Sequence, residues 1–255
     1  MIHSNACLAE DVVLGQDLEI GPFAVVESGV VLGDGCVLGA HAVIHSGTTL
    51  GPNNRIYPHA VLGGDPQDLS AEAGGLLVVG AGNVFREGVT VHRSKTEGGV
   101  TRIGSNCFIM ANAHIAHDCQ VGDAVIITNN VMLAGHVEIG DHVVLGGAAS
   151  VHQHARVGSY AMLGGMSGAR RDVLPFTLAS GLPALHYRLN TVGLRRNGIT
   201  GERYRVLEQA FRALRSGKGW DEVPQTADVK MLAEWMAASK RGVAGFVRAH
   251  SRSEE

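Results

Sequence analysis

An aliphatic residue returns at every sixth position from Ile2 through Leu8, Leu14, Ile20 and Val26 to Leu62. The pattern resumes at Val79, Phe85 and Val91, and again from Ile103 through Ile109 and Ile115 to Leu163. Helices repeat every 3.6 residues and strands every two, so a sustained period of six belongs to neither. A fixed short repeat marks a solenoid whose units bury their apolar faces by stacking. The pattern predicts a mainly β fold, a parallel β-helix of hexapeptide repeats with three short flat faces per turn. Residues 18 apart then stack, and about eight coils at roughly 4.8 Å each make a prism of about 40 Å. A second small or apolar residue follows four positions after each aliphatic one, as at Ala24, Cys36, Ala113 and Cys119. Glycine often follows directly, as in Leu14-Gly15 and Leu32-Gly33. It is expected to supply the unusual backbone angles of the corner.

Two stretches interrupt the repeat, near 63–78 and 92–102. The first carries Gln67-Asp68-Leu69 and the second His92-Arg93-Ser94-Lys95. Loops held on a rigid scaffold often carry function. The hexads end near Asp172, which divides the chain into a β-helix over 1–175 and a C-terminal helical domain over 176–255. Helices are expected over Ala184–Arg196, after Thr200 as an N-cap and up to Gly217, over Asp228–Ser239, and over Arg241–His250. Such a tail covers the open end of the solenoid.

Composition narrows the setting. The 255 residues include 35 glycines and few aromatics, which suits a thin core with tight corners. No apolar run approaches the ~18 residues of a membrane span. The start, Met-Ile-His-Ser-Asn, lacks the features of a secretory signal. Cys36, Cys107 and Cys119 fall on inward small positions and read as buried reduced thiols. Together these point to the cytoplasm. The net charge of −3 divides unevenly: residues 1–175 carry 8 Lys+Arg against 16 Asp+Glu, and residues 176–255 carry 13 against 8, net +5. A basic tail suits an acidic protein partner. Nucleic acid is disfavoured, because there is no basic run and no aromatic platform.

Of thirteen histidines, His114, His117, His136, His142, His152 and His154 lie within three coils. The 18-residue register puts His117, Gly135 and Gln153 in one column and Asp118, His136 and His154 in the next. A neutral imidazole there can act as general base toward a sugar hydroxyl that attacks an activated acyl group. A backbone N–H above it, such as that of Gly135, can stabilise the oxyanion. No Ser-His-Asp nucleophile is visible, which favours direct transfer. The competing chemistry is a zinc site of three histidines shared between subunits, as in β-helical hydratases of the carbonic anhydrase type. The histidine pair in Asn112-Ala113-His114-Ile115-Ala116-His117-Asp118-Cys119 is spaced by three, not by the five that such sites use. A non-catalytic scaffold is the third reading, and it leaves the polar columns without a purpose.

The stretch Asn112–Cys119 resembles the active-site segment of the UDP-N-acetylglucosamine O-acyltransferases that begin lipid A synthesis. So do Leu133-Ala134-Gly135-His136-Val137, Val151-His152-Gln153, Gly193-Leu194-Arg195-Arg196 and Gln67-Asp68-Leu69. The resemblance covers nearly the whole chain. It implies a left-handed β-helix, a homotrimer, and no metal or dissociable cofactor. His117 would be the general base, supported by Asp118, with the Gly135 N–H facing the oxyanion. Asp68, His114, His136, His152, Gln153, Asn190 and Arg196 would contact substrate. Gly165 and Met166 would limit the length of the acyl chain. The donor would be a 3-hydroxyacyl chain on acyl carrier protein. The related N-acyltransferases carry an additional N-terminal domain, and hexads that begin at Ile2 argue against that reading. Two positions depart from the pattern. Ser70 stands where the family commonly has Lys, and Val192 where it has an acidic residue, so the pocket is expected to lack one cation and one anion. A different UDP-sugar, such as an aminated analogue, is the alternative acceptor.

Overall fold

The computed structural model describes residues 1–217, 219 and 222–247. Each hexad contributes one short strand, and the strands lie on three sheets of nine, eight and ten strands. Pairing is parallel and in the 18-residue register, as in Cys7↔Val25 and Val25↔Val43. The result is a left-handed parallel β-helix. The sixth-position aliphatics fill its axis: Leu32, Ile44, Ile56, Ile115 and Leu145 are all buried. Cys36, Cys107 and Cys119 are buried free thiols beside them. Burial pushes the Cys119 thiol up to about 12 and that of Cys107 to about 11, so neither is a nucleophile at neutral pH.

The corner glycines work differently from the expectation. Gly15, Gly33 and Gly39 have ordinary φ, but a Cβ there would lie 2.6, 2.6 and 2.7 Å from the backbone of the next coil. They are needed for close approach. The left-handed backbone falls two residues later, on Asp17, His41, Asn53, Asp118, His136 and His154, among others. Asn, Asp and His tolerate this region better than most side chains. The corner rule therefore places Asp118 and His136 where the candidate site needs them.

The two loops shift the register. Leu77 pairs with Thr48, a separation of 29 residues instead of 18, and Thr90 pairs with His114, a separation of 24. Residues 65–75 and 93–99 thus leave the prism between strands and pack together, with the Glu72 N–H donating to the Lys95 carbonyl at 2.8 Å.

After the last coil the chain departs from the helical expectation. Leu185–Leu189 is a strand, antiparallel to Thr177–Ser180, and only Thr191–Arg196 (α1) is helical. The terminal strand of a solenoid offers unpaired N–H and C=O groups, and the antiparallel return satisfies them. The next helices are Gly201–Ser216 (α2), ended by left-handed Gly217, and Ala227–Ala237 (α3). Thr200 precedes α2 without a capping hydrogen bond, whereas Thr226 caps α3. Val243 and Phe246 form isolated parallel bridges to Asp172 and His186, so the helix expected over Arg241–His250 does not form over 241–247; 248–250 lie outside the described residues. Among the described residues no helix is long and apolar enough to cross a membrane.

His186 joins this tail to the prism. Its Nε2 accepts from the Leu174 N–H at 2.9 Å and its Nδ1 lies 3.0 Å from the Ala244 carbonyl. That pattern requires a neutral ring. Burial pushes His186 down to about 4, and burial with neighbouring imidazoles does the same for His92. An unfolded histidine takes up its proton near pH 6.5, so the stabilisation is complete above that value and is lost as pH falls from about 6.5 toward about 4. For the fully buried His186 the loss is on the order of 3 kcal/mol at about 1.4 kcal/mol per pH unit. Urea unfolding at pH 7 and pH 5, between which about 2 kcal/mol of it is lost, measures the slope. His186→Gln keeps a donor and an acceptor but does not titrate, and should flatten the slope; an unchanged slope refutes the assignment to His186.

Candidate active site

The sheet built from His114–Ile115, Met132–Leu133, Ser150–Val151 and Gly168–Ala169 turns the first residue of each pair outward. His114, Met132, Ser150 and Gly168 therefore form a ladder that becomes smaller along the prism. This ladder floors a cleft of about 750 Å³, walled by Gln67, Asp68, His117, Gly135, His152, Gln153, Arg170 and Leu182. His114, His117 and His152, the first loop and the end of the prism converge on it, whereas His136 and His154 line a second cleft with Asp118.

His117 follows strand His114–Ile115 and is buried, with 8% of its side chain exposed. Its Nδ1 lies 2.7 Å from Asp118 Oδ2. Burial raises the Asp118 carboxyl, but hydrogen bonds from Ser94 and His117 and from the Lys95 N–H overcome this and hold it below the usual carboxylate range. An ionised carboxylate only accepts, so Nδ1 is the donor, and in the neutral ring Nε2 keeps its lone pair. The Asp118 N–H donates to Thr101 Oγ1 at 2.7 Å, which pins the corner. Gly135 lies directly over the ring: a Cβ there would be 2.5 Å from His117 Cε1 and 2.7 Å from Nε2. The N–H groups of Ala134 and His136 donate to the carbonyls of Val151 and His117, whereas among the described residues that of Gly135 has no backbone acceptor.

Asp68 reaches in from the first loop, its Oδ2 3.8 Å from His117 Nε2. The Ser70 N–H, the Lys95 ammonium and the Ser70 hydroxyl hold its carboxyl far below the usual range. The expected missing cation is thus present by another route. Lys95 Nζ, from the second loop, lies 3.0 Å from Asp68 Oδ2 and 3.4 Å from Ser70 Oγ. Val192, at the position of the missing acidic side chain, is exposed on α1.

His114 bonds Thr90 Oγ1 at 2.8 Å, and burial, then the nearby His117, keeps it neutral more readily than a free histidine. His136 lies edge-on to His117 at 5.2 Å and stacks on His154 at 4.5 Å. Its Nε2 is 3.8 Å from Asp118, yet burial lowers its pKa. His142 stacks on Tyr160 at a different corner. Asn190 and Arg196 do not line the cleft of one chain. Asn190 is buried, its oxygen accepting from the Gly193 N–H and its amide donating to the Tyr160 carbonyl; Arg196 is exposed at the end of α1. Gly165 stacks over Gly147, with a Cβ 3.3 Å from the Gly147 carbonyl, at the opposite edge of the cleft-bearing sheet from His117. Met166 beside it is 82% exposed.

His117, Asp118 and His136 present potential metal ligands within 4.8 Å of one another. Two of the three are already committed to the His117–Asp118 hydrogen bond, which suits a proton-transfer pair. Ser94 and Lys95 were missed as site residues because they sit 24 and 23 residues before Asp118, not 18. The loop insertion moves the column, and only the altered pairing at Thr90↔His114 reveals it.

The family described as UDP-N-acetylglucosamine O-acyltransferase, domain 2, matches residues 172–244, and the bacterial transferase hexapeptide family matches 11–46, 29–64 and 101–135. An acyl-[acyl-carrier-protein]–UDP-N-acetylglucosamine O-acyltransferase of a Sulfurihydrogenibium species is 53% identical, covering 95% of this chain and 94% of its own length. The enzyme of the same name from Thermodesulfovibrio yellowstonii is 39% identical over 95% of this chain and 98% of its own. The crystal structure of the Francisella novicida UDP-N-acetylglucosamine acyltransferase superposes with a TM-score of 0.92 at 32% identity, over 96% of this chain and 94% of that one. The Campylobacter jejuni enzyme gives 0.90 at 36%, over 97% and 100%.

Proposed function

We propose a reaction from one premise: the chain belongs to the acyl-[acyl-carrier-protein]–UDP-N-acetylglucosamine O-acyltransferase family. It transfers an acyl group from acyl carrier protein to an oxygen of UDP-N-acetylglucosamine, the step that begins lipid A synthesis. The hydratase and scaffold readings are not favoured. In the finer reading, the donor carries a 3-hydroxyacyl chain, the acceptor is the 3-hydroxyl, and the enzyme is a cytoplasmic homotrimer.

His117 Nε2 takes the proton of the sugar hydroxyl as its oxygen attacks the thioester carbon. The tetrahedral oxyanion accepts from the Gly135 N–H. The C–S bond then breaks, and the imidazolium returns the proton to the departing thiolate, while Asp118 keeps the ring oriented and stabilises its charged form. Asp68, His114, His152 and Gln153 contact the acceptor in this reading, which their shared position on the cleft wall supports. His136 acts behind Asp118. Asn190 and Arg196 are the remaining substrate contacts in this reading, and they lie outside the cleft of one chain. The exposed Arg195 and Arg196 and the net +5 of the tail suit an acidic carrier protein.

One observation carries the reading: at an open cleft, a buried imidazole is hydrogen-bonded to an ionised carboxylate on one nitrogen and packs its other nitrogen against Gly135, whose N–H has no backbone acceptor among the described residues. The test offers the purified protein 3-hydroxyacyl carriers with UDP-N-acetylglucosamine and its 3-amino analogue. O-acylation of the former is expected. Acylation of the amine alone moves the acceptor, and no transfer to either defeats the reading.

The acyl chain lies along the small-residue side of the cleft, and Gly165 limits it. Each buried methylene is worth about 0.8 kcal/mol, so donors differing by two methylenes should rank about tenfold apart. Gly165→Met places a side chain at that edge and should shift the preference toward shorter donors. Rates over a series of chain lengths measure this, and an unchanged profile assigns the limit to another residue.

A further inference from the structure

Lys95 uses all its polar atoms on the two loops and the corner beneath His117. Its N–H donates to Asp118 Oδ2 at 3.3 Å, and its carbonyl accepts from Glu72 at 2.8 Å. Its ammonium donates to Asp68 Oδ2 at 3.0 Å and to Ser70 Oγ at 3.4 Å. Asp118 faces one nitrogen of the imidazole at 2.7 Å and Asp68 the other at 3.8 Å. One residue therefore touches both carboxylates that flank the ring. We propose that Lys95 is a positioning residue for acyl transfer, clamping Asp68 against the cleft while its backbone helps to hold Asp118. This rests on the reaction proposed above.

The need for a clamp follows from where Asp68 sits. Leu69 through Gly74 are exposed, Leu69 fully so. Without the ammonium an ionised Asp68 keeps the Ser70 N–H and hydroxyl of its own exposed loop as donors but loses its side-chain tie to the second loop. The Lys95–Asp68 pair is sheltered, with 24% of each side chain exposed. It is therefore less screened than a surface pair, whose worth is commonly negligible. The arrangement also states what a substitute must do: deliver an ammonium beside Asp68. Ser70 Oγ is within 3.4 Å of the present one, so a lysine at 70 can reach the same point.

The test uses the full chain. Lys95→Met keeps the aliphatic stem and both backbone contacts but removes the charge. Its kcat/KM for UDP-N-acetylglucosamine should fall about tenfold or more, the scale on which a misplaced polar group is felt, while the KM for the acyl carrier and the Tm stay near wild type. Adding Ser70→Lys to Lys95→Met should restore most of the loss, which a merely structural lysine would not allow. Carbon-13 NMR of the Asp68 carboxyl gives a readout independent of turnover: its titration should move up in Lys95→Met and return in the double variant. Wild-type kinetics in Lys95→Met overturn the proposal. So does a loss that Ser70→Lys leaves unrepaired, with the Asp68 titration unmoved. A wild-type protein inactive on every UDP-sugar would defeat the reaction itself, and the Asp68 titration would still decide whether the clamp exists.

Discussion

Replacing His117 with alanine should cost about 10²–10⁴ in the rate of acyl transfer, the usual worth of a positioned general base, with the fold intact. The fold survives because the ring is outside the aliphatic axis, which Ile115 and Cys119 on either side supply. Asp118 is not orphaned by the change. It keeps Ser94 and the Lys95 N–H as donors, with His136 Nε2 at 3.8 Å. The buried-charge penalty that often unfolds such variants is therefore small here. Steady-state turnover with saturating donor and acceptor measures the effect, and sedimentation and circular dichroism check assembly and folding. A folded His117→Ala protein with near-normal turnover would remove His117 from the mechanism.

Gly135→Ala should be nearly as damaging, on the order of 10²-fold, the cost of displacing a reacting group by about 1 Å. The reason is steric and local. The nearest neighbours of the added Cβ are His117 Cε1 at 2.5 Å, Nε2 at 2.7 Å and Nδ1 at 3.2 Å. Backbone φ at Gly135 is ordinary, so the chain itself tolerates alanine; the imidazole must tilt away. Tilting breaks its 2.7 Å contact with Asp118 or turns Nε2 from the cleft. Gly147 occupies the equivalent turn position one face away, and a Cβ there meets nothing closer than 3.8 Å. Gly147→Ala therefore controls for the backbone effect on Tm. If Gly135→Ala retains full kcat, the ring is free to move and the close packing over His117 has no catalytic meaning.

Much of this molecule was legible before folding because its architecture is periodic. A six-residue aliphatic period admits one solution, three parallel faces stacked every 18 residues, and that arithmetic alone put His117 under Gly135 and Asp118 beside His136. The corner glycines were legible as essential, though not for the right reason: only stacked coils show that a Cβ at Gly33 would strike the backbone of Gly51. The tail was misjudged where tertiary demand overrode local pattern. Leu185–Leu189 became a strand because the last coil had an open edge to pair, and His186 could be buried only once Leu174 and Ala244 were there to bond it. The loops were the other limit. A period fixes neighbours only while it lasts, and the insertions replaced 18 by 29 and 24, so no counting rule connected Lys95 to Asp68 or Ser94 to Asp118. Local chemistry determined the prism and the column of imidazoles. The packing of two loops against each other decided which charges surround them, because that contact depends on three-dimensional closure and leaves no period in the chain.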